Sequence, residues 1–198
     1  MTSVKVSVDG PTELCKNFTM QSTVLLQELL EASRILLNKA VLLQQLDEAA
    51  LNRRPAPESW SILECVEHLN RYSDYYIPVM DAAMNTAKPG SVSTFSPGWL
   101  GDYFAKLMRP KEKLNKIKTF ADKNPIHQPL DRKVIAHFIE QQHQLIRLLD
   151  KAAQYDLNRI RIPITLSRFI RLKLGDTFRF VIYHQQRHME QIERIHKL

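Results

Sequence analysis

The chain has 198 residues, enough for a single domain with a sizeable core. It is 44% hydrophobic and 25% charged, ordinary for a globular protein, and no apolar run approaches the ~20 residues of a membrane span. Two cysteines, Cys15 and Cys65, exclude a disulfide framework, and the formal charge of +7 raises the question of an anionic partner.

Residues 1–11 read as an N-terminal arm ending in Asp9-Gly10-Pro11. Lys5, Asp9 and Glu13 leave no apolar stretch for a secretory leader, so with two reduced thiols a cytoplasmic location is expected. A first long helix is predicted over 20–46, with Val24, Leu25, Leu29, Leu36, Val41, Leu42 and Leu46 on its apolar face. Asn52-Arg53-Arg54-Pro55-Ala56-Pro57 breaks it. Ser61-x-x-Glu64 has the form of a capping box and opens a second helix over 61–85, with Pro78 as a point of kinking. Residues 86–130 are the least regular part, with turn signals at Lys88-Pro89-Gly90 and Ser96-Pro97-Gly98 and a short helix over 99–108. A third helix over 132–153 carries Val134, Phe138, Leu145, Leu148 and Leu149. A connector over 156–174 leads to a fourth helix over 176–196, with Phe178, Val181, Ile182, Met189, Ile192 and Ile195 at helical spacing. The expectation is one all-α domain, a four-helix bundle with a long crossover between its second and third helices.

The charge is localised. Residues 106–123 hold seven cations against Glu112 and Asp122, a net +5. Residues 159–173 hold five cations and no acid, also +5. Such stretches are either solvated connectors or a surface for an anionic ligand. Interleaved aromatics and a helix-turn-helix signal are lacking, which disfavours nucleic acid.

The chemistry lies in histidines. His184 and His188 are one helical turn apart, so both imidazoles leave one side of the fourth helix. His68 lies about two turns into the second helix. If the two helices pack side by side, three neutral imidazoles can bind Zn²⁺ or Ni²⁺ and leave a position open for water or substrate. Gln185 stands where a zinc protease of the His-Glu-x-x-His type has its glutamate, so that chemistry is not supported. Glu64 is a candidate to orient His68, in competition with its capping role. Tyr72 is a candidate proton or hydrogen-bond donor, in competition with a core role. Cys65 could offer a thiolate, or be a small buried hydrophobe. His127, His137, His143 and His196 read as surface residues.

The order of these signals resembles the DinB-like superfamily of metal-binding helical bundles. The resemblance rests on Trp60-Ser61-Ile62-x-Glu64-x-x-x-His68-Leu69, on Gly175-Asp176-x7-His184-x3-His188-x2-Gln191-Ile192, and on Leu51-Asn52-x-Arg54-Pro55, and it spans roughly 15–197. It implies a divalent-metal triad of His68, His184 and His188. It also implies a range of activities, among them transfer of a low-molecular-weight thiol to an electrophile. The function expected is that of a metal-dependent transferase, or less readily a hydrolase, acting on a small molecule with a divalent metal and a low-molecular-weight thiol as cofactors. The alternative is a non-catalytic, metal-stabilised binding or stress bundle. No nucleic acid or membrane partner is expected, and a homodimer is the assembly to test.

Overall fold

The computed structural model describes residues 19–110 and 119–197. The N-terminal arm and part of the first basic segment, 111–118, lie outside the described residues. Four long helices form an all-α bundle: α1 (Ser22–Leu43), α3 (Ile62–Thr86), α5 (Lys133–Ala152) and α6 (Leu174–His196). Two shorter helices accompany them, α2 (Glu48–Asn52) and α4 (Trp99–Met108). Two small antiparallel pairs complete the elements: β1 (Met20–Gln21) with β2 (Thr94–Phe95), and β3 (Arg161–Ile164) with β4 (Ser167–Lys173).

Each bundle helix packs against two others: α1 and α3 both touch α5 and α6. Side-chain links give the directions. Lys39 of α1 pairs with Glu193 near the end of α6, so these two run parallel. Arg132, just before α5, donates to the carbonyls of Gln44 and Leu46 just after α1, so α1 and α5 are antiparallel. Ser73 pairs with Gln185, and Tyr76 meets Phe180, so α3 and α6 are antiparallel. The core between them is built from Leu29, Leu36, Leu69, Met80, Phe138, Leu145, Phe178 and Ile182 among others. Among the described residues, no helix is long and apolar enough to cross a membrane.

The long helices begin and end close to their predicted bounds, but the buried face of α1 differs from the expected one. Leu25, Leu26, Leu29, Ser33, Leu36, Ala40 and Leu43 face inward, whereas Val24, Val41 and Leu42 are exposed. The runs Val24-Leu25-Leu26 and Val41-Leu42-Leu43 contain more apolar residues than one helical stripe can hold, and the three-four spacing selects among them. α3 runs through Pro78, whose ring lies on an exposed side of the helix.

The long crossover returns over the outside of α6 and sets α4 against it. Phe95 packs on Gly175 so closely that a Cβ there would sit 2.6 Å from the ring. The buried Asp176 carboxylate accepts the Gly98 N–H at 2.8 Å and an Arg179 N–H at 3.1 Å. Arg179 also pairs with Asp102. These contacts tie the start of α4 to the start of α6 and leave Phe104, Leu107 and Met108 of α4 lining a cavity against α6. The basic connector 156–174, for which no strand was expected, holds the β3–β4 hairpin. Ile162, Ile164 and Leu172 point inward from it, and the alternation with Arg161, Pro163, Arg171 and Lys173 is the strand signature its charge conceals.

Candidate metal centre

α3 begins at a fully formed capping box: the Glu64 N–H donates to Ser61 Oγ, and the Ser61 N–H donates to Glu64 Oε2 at 2.8 Å. Glu64 is buried and also accepts from both terminal nitrogens of Arg54 and from the His127 N–H. Burial alone would push its carboxyl up; Arg54 and the backbone donors outweigh it and hold the pKa below the usual carboxylate value. Glu64 thus anchors the entry to α3 and the loop around His127, whose backbone sits at φ 59°. That role is away from His68.

The acceptor at His68 is a backbone group. Nδ1 of His68 donates to the Lys123 carbonyl at 2.8 Å. The segment that supplies it is pinned to α3 by Trp60 Nε1–H donating to Asn124 Oδ1 and by Arg71 donating to the carbonyls of Asp122 and Asn124. A carbonyl can only accept, so Nδ1 carries the proton and Nε2 of His68 presents its lone pair. His188 is arranged alike: its Nδ1 donates to Gln191 Oε1 at 3.0 Å, which frees its Nε2.

Antiparallel packing of α3 on α6 brings the three rings together. One ligand nitrogen from each of His68, His184 and His188 lies within 4.8 Å of the others. Nε2 of His68 is 3.1 Å from Nε2 of His184. Nitrogens at the usual Zn–N distance of a tetrahedral ion lie roughly 3.3–3.4 Å apart, so small ring movements would accommodate one. Burial is the main force on the protonation of all three. It lowers the pKa of His68 to about 4 and that of His188 to about 3, and it carries His184 well below its ordinary value, with the neighbouring imidazoles adding to the effect. The rings are therefore neutral at pH 7, the state a metal requires. Lone pairs, tautomers and spacing together fit a divalent cation.

Aromatic rings wall the triad. Trp60 lies 4.6 Å from the His68 ring and 5.7 Å from His188. Tyr72 lies 4.7 Å from His184 and 5.1 Å from His68. Phe180 stacks over His184 at 6.0 Å. Burial pushes the Tyr72 phenol up to about 12, so it keeps its proton and remains a donor. The three histidines sit on a cavity of about 670 Å³, lined by residues of α3, α4, α6, the β3–β4 hairpin and Thr119-Phe120.

The other sequence candidates fall elsewhere. Cys65 is fully buried, and burial raises its thiol far above the usual range, so it behaves as a small hydrophobe. His127, His137, His143 and His196 are exposed. Both basic segments border the cavity, but through uncharged and mostly apolar residues: Leu107, Met108, Thr119 and Phe120 from one, Ile164, Thr165, Leu166 and Leu172 from the other. Of their described cations, Lys106 pairs with Asp102, Arg109 lies over the Tyr183 ring and Lys173 donates to the Ser96 carbonyl, whereas Lys123 sets its ammonium 5.9 Å from the ring of Tyr72, beside the triad. The cation that lines the cavity among the described residues, Arg187, comes from α6. Sequence reasoning did not assign roles to Lys123, Gln191, Phe180 or Arg54. Gln191 had a signal, since three residues past a ligand is one turn away. The Lys123 carbonyl had none, because any residue type supplies one.

Neither the search of curated proteins nor that of solved structures gives a match. A family model described as the DinB superfamily matches residues 29–192, which takes in the whole of the triad and all four bundle helices but for the first two turns of α1 and the last turn of α6. The chain therefore belongs to the DinB superfamily.

Proposed function

We propose that the protein is a metal-dependent enzyme in which His68, His184 and His188 hold one divalent cation, zinc or nickel, and that it transfers a low-molecular-weight thiol to an electrophilic small molecule. The observation that carries this reading is the convergence of three neutral imidazole nitrogens at the wall of an open, largely apolar cavity. A cation bound there by neutral ligands keeps its full charge and would favour ionisation of a thiol or water near neutral pH. The chain's own residues supply the rest. Lys123 and Gln191 fix the two ring orientations by accepting from Nδ1. Tyr72 offers an O–H that stays protonated beside His68 and His184, suited to a developing negative charge on a substrate. Trp60 and Phe180 set apolar ring faces against the triad, which lowers the local dielectric and strengthens charge interactions there.

The test is turnover of electrophile and thiol pairs by protein purified without a histidine tag and loaded with zinc or nickel. The wild type should turn over at least one pair, and His188→Ala should not. Equal turnover by both, or none by either across a broad thiol panel, would defeat the enzymatic reading and favour a non-catalytic bundle.

A further inference from the structure

The cavity at the triad has two unlike ends. Because α3 and α6 are antiparallel, residue order on both helices marks the same axis. Towards the start of α3 and the end of α6 it is lined by Glu58, Ser59 and Gln191, which are polar. Towards the other end, Tyr76 follows His68 by two turns, and Phe180 precedes His184 by one. There the wall is largely apolar. Phe180 lies 5.7 Å from the Tyr76 ring and 6.3 Å from Phe104 of α4, and the hairpin adds Ile164, Leu166 and Leu172. The polar residues of this wall, Tyr76 and Thr165, bond to each other: Tyr76 Oη accepts the Thr165 N–H at 3.3 Å, and the Thr165 side chain also pairs with Tyr76. At 1.5 Å of rise per residue, the arm extends roughly 6–12 Å beyond the triad.

We infer that this arm takes the hydrocarbon part of the substrate, so that the substrate class is a molecule with a polar reactive head at the triad and an apolar tail of several carbons. The inference rests on the metal reading for the head and on the wall of the cavity for the tail. An arm of that length, lined by aromatic and branched side chains with no unpaired polar group shown on its wall, gains free energy from each methylene it removes from water and discriminates little between tails of similar width. It also explains why an arginine-rich hairpin contributes Ile164, Leu166 and Leu172 to the cavity while its Lys173 turns to the Ser96 carbonyl: it builds the arm. The specificity of the site then lies in Phe104, Phe180 and Leu166.

Two probes test head and tail separately. The first is a series of alkyl hydroxamates, from acetohydroxamate through butano-, hexano- and octanohydroxamate, titrated calorimetrically into zinc-loaded protein. Affinity should rise about fourfold per methylene, the value for burial of a CH₂ group, and level off once the arm is filled. The second is 1-aminoanthracene, a neutral apolar fluorophore, titrated into zinc-free protein. It should bind, and octanoate should displace it. Leu166→Asp, at a half-exposed position that cannot unfold the bundle, should flatten the hydroxamate series and weaken the fluorophore, with zinc content measured alongside. Phe104→Ala should act in the same direction. A flat hydroxamate series on protein that holds zinc overturns the inference. So does fluorophore binding that neither octanoate nor Leu166→Asp affects. If the protein fails to take up zinc yet binds the fluorophore in a manner sensitive to octanoate and Leu166→Asp, the apolar arm stands and the metal reading falls.

Discussion

Nε2 of His68 on α3 lies 3.1 Å from Nε2 of His184 on α6, across 116 positions of sequence. Nitrogens that close repel as two bare lone pairs. They must share one proton or share a cation, and His188 on the same side of α6 makes the cation the fuller solution.

Trp60 is the natural reporter of the site, because its ring lies within 6 Å of two of the three imidazoles. The chain's second tryptophan, Trp99, is 84% exposed and far less constrained. In a Trp99→Phe background, nickel should quench Trp60 fluorescence and saturate at one equivalent. The same titration of His188→Ala should show weak, non-saturating quenching. Identical curves would place the nickel elsewhere.

Gln191 holds His188 through its Nδ1. Gln191→Ala should weaken metal binding by about tenfold, the low end of the cost of removing an outer hydrogen-bond partner of a ligand. The thermal midpoint of the metal-free protein should barely move, since Gln191 is only partly buried. Competition against a chelator of known affinity measures the first effect. An unchanged constant would mean that the ring is oriented by packing alone.

Metal-free protein should lose stability in mild acid. The folded-state pKa values of His68 and His188 are lowered to about 4 and about 3, against about 6.5 unfolded, so between these limits the unfolded chain binds more protons. The contribution is fully present above pH 6.5 and is lost as pH falls. Each histidine gives up to about 1.4 kcal/mol per pH unit, so His68 alone gives about 2 kcal/mol between pH 7 and pH 5. Glu64 and Asp102, held below their usual values, act at lower pH. Urea midpoints at the two pH values check this in the wild type and in His68→Gln, which should show a smaller drop. Equal drops would remove His68 from the effect.

Glu64→Ala should cost about 2–3 kcal/mol, from loss of the capping interaction and the half-buried Arg54 pair together. The loop at His127 should loosen with it, because its N–H loses an acceptor. Chemical denaturation measures the cost, and hydrogen exchange at His127 reads the loop. Wild-type stability would show that the capping box is redundant. Gly101→Ala should also be costly, since a Cβ there would sit 2.4 Å from the Asp176 carboxyl group.

The long helices were legible because each carries a core stripe at three-four spacing, as in Phe178, Val181, Ile182, Met189, Ile192 and Ile195, all buried. The capping box at Ser61 and Glu64 was legible because it is a local device between residues three apart. The face of α1 was not, since Val24 and Val41 sit beside leucines in apolar runs that offer more than one stripe. The β3–β4 hairpin was concealed by its arginines: Arg161 and Arg171 stand outward next to the buried Ile162 and Leu172, and Arg168 falls in a fully exposed stretch where the alternation is lost. The convergence of His68 with His184 and His188 required the packing of α3 on α6, which periodicity alone does not give. The resemblance to the superfamily supplied that pairing in advance. The Lys123 carbonyl that orients His68 lay beyond any sequence pattern, since its place depends on how the crossover folds back on α3.

The most direct test of the central claim is metal content by mass spectrometry, measured on tag-free protein after zinc loading and gel filtration, for the wild type and for His184→Ala. The account predicts one zinc per wild-type chain and close to none in the variant, with the helical circular dichroism of both intact, because the core does not depend on the ion. Equal zinc in the two proteins, or none in the wild type, would contradict it.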